Sequence, residues 1–313
     1  MALPAMADVR RAVPDARIDV AARPHIAPLF ALAAGVDDVV VIGSGGKAPD
    51  VVRGRRASAV LLLTNSFQTA LTAWRAGVPE RWGYRTDWRG PLLTRSIRPP
   101  FDAVHQATYY QHLVRALGCE NGPLEPRLEA TTEGKQSGLE LLVDAGWDQR
   151  APLVALAPGA AYGGAKRWPA ERFAALAASL ARDGVRCVLV GGPADAAAGA
   201  EVLKKGSDGV DPIHLIGRTD LAALAGVLVR CRALVSNDSG AMHFAAALGV
   251  PVTAIFGPTD ERATRPLGRS GRPAPTVLTH HVWCRPCMLR ECPLTHRCMN
   301  LITADEVLKN VRM

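Results

Sequence analysis

Four short polar segments in this 313-residue sequence follow apolar runs and carry residue types that can hold an anion. The most informative is Ser236-Asn-Asp-Ser-Gly-Ala-Met-His243, between the apolar run at Ala233 and the Ala-rich stretch from Ala241 to Leu248. A strand that ends there and a helix that begins there would aim the helix's unpaired N–H groups and the positive end of its dipole at the sheet's carboxyl edge. That geometry binds phosphate. Ser239 offers a hydroxyl, Gly240 permits close backbone approach, and His243 lies about one turn into the helix. The same residues are equally read as plain helix capping by Asp238 or Ser239, with His243 an ordinary polar-face residue.

A second segment, Ala157-Pro-Gly-Ala-Ala-Tyr-Gly-Gly-Ala-Lys-Arg-Trp-Pro169, sets small residues after a strand and a lysine before the next helix. Glycines let backbone amides approach an anion and Lys166 adds a mobile positive charge, although a lone lysine is more often simply solvated. There is no Gly-Lys-Ser/Thr here, and no Gly-x-Gly-x-x-Gly opens the first helix, which weakens ATPase and dinucleotide dehydrogenase readings. Gly191-Gly-Pro-Ala-Asp195 and Gly217-Arg-Thr-Asp-Leu221 could lie beside a nucleotide's base and ribose, the latter with Thr219 or Asp220 as helix cap. Plain turn chemistry accounts for both segments as well.

Cys284, Cys287, Cys292 and Cys298 occupy one short window with C-x2-C, C-x4-C and C-x5-C spacing. Four thiolates so spaced can enclose Zn²⁺ or an iron–sulfur centre, while a reduced, packed thiol cluster accounts equally for a spacing that matches no standard finger. Cys119, Cys187 and Cys231 stand alone in apolar stretches, as small buried hydrophobes do. Arg81, Arg85, Arg89 and Arg95, interleaved with Trp82 and Trp88, could meet a phosphorylated sugar or a membrane face; the same mixture occurs in nucleic-acid binders.

The elements that position these groups follow from length and apolar pattern. A chain this long suggests two domains of about 150 residues each. Nearly half the residues are hydrophobic, but only 5% are aromatic, a composition suited to helices packed on a buried parallel sheet. The net charge of +8 favours anionic partners, though an Arg-rich composition gives the same number. No apolar run approaches the roughly 18 residues of a membrane span. No secretory signal precedes the first helix, which makes the cytosol the expected compartment.

The residues to Pro14 read as an amphipathic helix, followed by apolar runs at Arg17–Ala21, Val39–Ile42 and Ala57–Leu63 with helical segments between them. Asn65, Ser66 and Gln68 then fall at a sheet's carboxyl edge, with Ser66 as N-cap of a helix running to about Ala76. Arg81–Arg85 reads as a strand and His105 begins a helix. A domain boundary is expected between residues 147 and 152. Beyond it the rhythm restarts: strands at Pro152–Ala157, Val185–Val190, Ala233–Ser236 and Val252–Phe256 alternate with helices at Ala170–Leu180, Asp220–Cys231 and Ala241–Leu248.

Together, Pro158-Gly-Ala, Lys166-Arg-Trp-Pro169, Gly191-Gly-Pro193, Ser236 to His243 with Ala245-Ala-Ala-Leu-Gly-Val-Pro251, and Phe256-Gly-Pro-Thr259 resemble the lipopolysaccharide heptosyltransferases of glycosyltransferase family 9. Asn65-Ser-Phe-Gln-Thr-Ala70 and the cysteine window extend the resemblance over essentially the whole chain. It implies an α/β fold of the GT-B type, with two Rossmann-like domains facing across a cleft. Residues 1–149 would bind acceptor and residues 150–313, with the Cys-rich loop 284–298, would bind donor. The implied activity is inverting transfer of L-glycero-D-manno-heptose from ADP-heptose to the inner-core heptose of lipopolysaccharide, on a heptosyl-Kdo-lipid A acceptor. Lys166 would bind donor phosphate or sugar, Ser239 and Gly240 would form the diphosphate turn, and Asp238 would contact heptose hydroxyls with His243 nearby. Asn65, Ser66 and Gln68 would face the acceptor.

No cofactor is required on this reading, the cysteine cluster leaving room for a structural metal. No nucleic acid partner is expected, and a cytoplasmic protein in peripheral contact with the inner membrane is compatible with it. The family's general base is an Asp after the first strand, just before the helix with which this sequence opens. The expectation is therefore an N-terminal domain lacking that strand, with the base upstream of Met1; Asp8, well inside the helix, is not assigned the role. Alternatives are another family 9 enzyme such as heptosyltransferase I, a nucleotide-sugar epimerase of the same architecture, or a nucleotide-sugar binding protein without a base.

Overall fold

The computed structural model describes residues 1–43, 46–206 and 211–312. Its contacts divide the chain into two units, Met1–Leu124 and Glu125–Met313. In the first unit come α1 (Leu3–Ala12), β1 (Asp19–Ala22), α2 (Ala27–Phe30), β2 (Asp38–Val41), α3 (Ala48–Gly54) and β3 (Ala59–Leu62). After these follow α4 (Phe67–Arg75), β4 (Glu80–Tyr84), β5 (Arg95–Ile97) and α5 (Gln106–Ala116). The strands form two parallel sheets, β1–β2 and β3–β4–β5, so that among the described residues β1 and β3 each pair on one side only. The unit opens on α1, which packs against α5. Asp8 of α1 is buried and accepts hydrogen bonds from Gln111 Nε2 (2.8 Å) and Gly122 N (3.1 Å) besides an ion pair with Arg11. Those bonds give Asp8 a structural role.

The second unit begins with α6 (Thr132–Asp144), β6 (Leu153–Ala157), α7 (Ala170–Arg182), β7 (Arg186–Leu189), α8 (Ala196–Lys205) and β8 (Ile213–His214). It continues with α9 (Leu221–Leu228), β9 (Cys231–Asn237), α10 (Gly240–Ala247), β10 (Val252–Ile255) and α11 (Glu261–Thr264). β11 (Thr276–Leu278), α12 (Arg297–Asn300) and α13 (Ala304–Arg312) complete it. Six parallel strands run in the order β11-β10-β9-β6-β7-β8. All five residues of β6 are buried, which is why this central strand reads as an unbroken apolar run. The chain builds outward from β6 through β7 to β8, then returns to the other side of β6 with β9. That reversal makes a switch point between β6 and β9, outside whose carboxyl ends open α/β sheets bind ligands.

Sequence reading places α6 with the first domain, ending near 149; the contacts assign it to the second unit. The cause is a backbone-to-backbone helix crossing. Cβ atoms added at Gly134 and Gly138 would come within 2.5 Å of Ala222 O and 2.6 Å of Gly226 C respectively, so α6 and α9 touch only because these positions carry no side chain. One face of the sheet is closed by α7 and α13, with Trp168 at the centre of the core. Its indole donates to Ile302 O at 2.9 Å and meets Phe173 edge-on at 4.9 Å.

Candidate functional site

The loops leaving β6, β9 and β10 converge at the switch point. Asn237, the last residue of β9, is fully buried and ties the first two together: its Nδ2 donates to Pro158 O at 2.8 Å, and its Oδ1 accepts from Trp168 N at 3.0 Å. This bond sets the end of the Lys166 loop against the end of β9. Lys166 and Asp238, 72 positions apart in sequence, then form an ion pair of 2.5 Å, with side chains 13% and 7% exposed. Thr259 Oγ1, beyond β10, donates to the same carboxylate oxygen at 2.7 Å. Lys166 Nζ also stands 4.7 Å from the centroid of the Tyr162 ring. The result is a cation held at low exposure by one carboxylate and one aromatic face.

Beside it α10 begins. Ser239 occupies the N-cap position with extended backbone, but its side chain makes no capping bond; its hydroxyl lies 3.1 Å from Ser236 Oγ instead. Neither side-chain capping expected for Asp238 or Ser239 is therefore made, and the carboxylate of Asp238 turns to Lys166. Gly240, the first residue of α10, is exposed, and a Cβ there would meet nothing within 4 Å. An anion can approach the first-turn N–H groups of α10 from open space, next to a lysine. His243 is half-buried one turn further on.

The glycines of the Lys166 loop act differently from the sequence expectation. A Cβ at Gly159 would overlap the Asp195 carboxylate, one at Gly163 the Arg290 carbonyl, and one at Gly164 would come within 2.5 Å of Glu291 Oε2. These positions are small to admit the protein's own groups. Asp195 accepts from Gly192 N at 3.0 Å, while Gly164 N donates to Glu291 Oε1 at 2.9 Å and Ala165 N to Arg290 O at 2.9 Å. Of the two caps considered beyond β8, Asp220 is the one used, accepting from Ala223 N at 2.7 Å.

The Cys-rich loop supports this site from below. Arg285, which no pattern in the sequence singles out, donates to Gly257 O at 2.6 Å and Thr259 O at 3.0 Å and pairs with Glu261 at 2.6 Å, fixing the segment that carries Thr259. Tyr162 and Thr259 stand out in the sequence only as parts of longer motifs. No spacing rule joins them to Lys166, since their meeting depends on strand order. The thiol of Cys298 is pushed up by burial and then by neighbouring Cys292, Cys287 and Cys284. Among the described residues, no group of three or more His, Cys, Asp or Glu side chains is arranged to hold a metal ion.

In the first unit Asn65, Ser66 and Gln68 are exposed at the carboxyl end of β3. Asn65 Nδ2 donates to Tyr109 OH at 2.9 Å. Ser66 is at the N-cap of α4 but makes no capping bond; Asp87 takes that place, accepting from Phe67 N at 2.6 Å. The Arg and Trp set is mostly committed within the unit. Arg89 is fully buried, bonded to Tyr84 O and Thr64 O. Arg81 binds backbone carbonyls, and Arg95 lies over the Trp82 ring at 5.2 Å. Arg85 and Trp88 remain exposed. No helix among the described residues is long and apolar enough to cross a membrane.

The family model for glycosyltransferase family 9 (heptosyltransferase) matches residues 50–297. Lipopolysaccharide heptosyltransferase 2 of Salmonella typhimurium is 31% identical over 86% of this chain and 82% of its own length. The solved structure of Escherichia coli ADP-heptose lps heptosyltransferase II is 27% identical, covers 99% of this chain and 93% of its own, and superposes with a TM-score of 0.82. Lipopolysaccharide heptosyltransferase 1 of Pseudomonas aeruginosa, at 33% identity, aligns over 49% of this chain and 40% of its own.

Proposed function

The chain belongs to glycosyltransferase family 9, a family of heptosyltransferases with the GT-B fold, and we propose that it transfers heptose from ADP-heptose to the inner-core heptose of lipopolysaccharide with inversion at the anomeric carbon. The observation that carries the reading is the Lys166–Asp238–Thr259 cluster beside the open first turn of α10. Likeness to relatives named heptosyltransferase 2 over most of both lengths supports this acceptor over that of heptosyltransferase 1.

In this mechanism the diphosphate rests on the amides around Ser239 and Gly240, and Lys166 turns partly from Asp238 toward it. As the anomeric bond breaks, negative charge builds on the departing ADP. The fixed N–H groups, the helix dipole and the lysine stabilise that charge without waiting for solvent to reorganise. Asp238 keeps Lys166 in place and accepts hydrogen bonds from heptose hydroxyls, with His243 alongside. Asn65, Ser66 and Gln68 face the acceptor, whose attacking hydroxyl must lose its proton to a base. No cofactor takes part, and contact with the inner membrane is peripheral. The thiols of loop 284–298 pack that loop; stoichiometric zinc or iron in purified protein, lost on Cys287→Ser, would replace that reading with a structural metal.

The test is product analysis with ADP-heptose, with and without a heptosyl-Kdo-lipid A acceptor. Transfer that requires acceptor and inverts the anomeric centre is expected. Conversion of the nucleotide sugar without acceptor would instead indicate an epimerase, and binding without any conversion a nucleotide-sugar binding protein.

A further inference from the structure

A cavity of about 580 Å³ lies in the second unit at the amino-terminal ends of β9 and β10, the sheet edge opposite the Lys166 cluster. α10 connects the two edges. Its first turn is at the cluster, and Leu248 and Gly249, which follow its last turn, line the cavity about 12 Å away, from eight residues at 1.5 Å each. The walls carry four cationic side chains, Lys135, Arg232, Arg269 and Arg272, against one carboxylate, Glu129. None of the four stands in an ion pair among the described residues, whereas arginines elsewhere on the chain pair freely with acids.

Two of these cations lie close together. Gly249, two residues past the end of α10, has φ +81°, and the point its Cβ would occupy lies 3.5 Å from both Arg269 Nη1 and Arg272 Nε, which puts these nitrogens no more than about 7 Å apart. Arg269 Nη1 is anchored on Ala247 O at 3.2 Å, at the negative end of α10. The loop between them is tethered by a hydrogen bond from Ser270 to Glu125, itself paired with Arg127. Two guanidiniums this close, one of them anchored, with neither in an ion pair among the described residues, and two further cations around the same cavity, make a site for a group of multiple negative charge. Leu128, Val250 and Pro251 add apolar groups to the lining.

We propose that this cavity binds a phosphoryl group, with Arg232, Arg269 and Arg272 as its principal contacts and the apolar lining residues Leu128, Val250 and Pro251 meeting the body that bears it. The phosphoryl group comes from an anionic phospholipid head or from a soluble phosphate ester.

The experiment uses the full chain at low salt and follows backbone amide resonances during titration with inorganic phosphate. Saturable shifts in residues 128–135 and 248–250 are expected, with phosphate affinity at least tenfold weaker in Arg232→Glu/Arg272→Glu. Both residues are exposed and neither side chain makes a hydrogen bond among the described residues, so an unchanged Tm is expected of the variant. Resonances of 236–243 report the α10 N-terminus separately, so the fate of the donor-site reading does not affect the answer. Absence of saturable shifts in the first set, or their persistence in the variant, overturns the proposal. Co-sedimentation with phosphatidylglycerol vesicles but not phosphatidylcholine ones, lost in the variant, identifies the lipid head as source. Phosphate binding without sedimentation identifies the soluble ester.

Discussion

Lys166 and Asp238 are each other's main partner at low exposure, so removing one leaves the other's charge under-compensated. Lys166→Ala is expected to cost about 3 kcal/mol of stability, the typical loss on breaking a buried pair from one side. The double variant Lys166→Ala/Asp238→Asn should recover much of that loss, read as the midpoint of thermal unfolding. Equal midpoints for the single and double variants would mean that the pair does not act as a unit. The lone cysteines set a pH dependence of a different kind. Burial pushes the Cys187 thiol up to about 12 and raises that of Cys231 as well. A thiol whose folded pKa lies above its unfolded one contributes full stability below the unfolded value, near 9, and loses it as pH climbs toward the folded one. Stability should therefore fall between pH 9 and about 12, more steeply than in a Cys187→Ala/Cys231→Ala protein. The residue types at the site were readable in sequence because Ser, Asp and Gly after an apolar run signal a helix start. Asp195 over Gly159 and Thr259 on Asp238 were not, since each depends on which strands are neighbours.

Among elements, the buried strands were readable nearly to the residue. Pro152–Ala157 is expected and Leu153–Ala157 observed, because a strand covered on both faces is an apolar run between breakers. α9 stops at Leu228, three residues short of the expectation, and β9 starts at Cys231. Apolar residues continue through the junction, so their pattern alone did not mark the change. β8 and β11, of two and three residues, left no periodic mark. α13 did leave one, with Val307, Leu308 and Val311 buried at helical spacing, and could have been found. The α6–α9 crossing was invisible for a physical reason. A glycine in a helix signals instability until the helix it touches is known. At Gly138 the consequence is testable: a Cβ would stand 2.6 Å from Val227 N, so Gly138→Ala must part the helices and should destabilise by about 1–3 kcal/mol. Unchanged unfolding of that variant would show that the crossing can relax.

At the scale of the whole molecule, two α/β units of a GT-B protein were readable from the repeated strand–helix rhythm and the ordered motifs, while the place where the units divide was not. The contacts put α6 with the second unit, whose candidate site is built from the ends of β6, β9 and β10 and supported by the Cys-rich loop. That dependence predicts an effect at a distance. Arg285→Ala, at a residue that among the described residues bonds to neither Lys166 nor α10, should release Thr259 from its anchor and weaken nucleotide-sugar binding several-fold, measured by calorimetry, without loss of fold. The central claim is that Lys166 and the start of α10 together hold the diphosphate of ADP-heptose. Its most direct test is calorimetric titration of ADP-heptose into the wild-type chain and into Lys166→Gln, which keeps a donor for Asp238 but removes the charge. The account predicts saturable binding by the wild type and at least tenfold weaker binding by the variant, about 1.4 kcal/mol or more. Equal affinities, or no binding by the wild type, would contradict it.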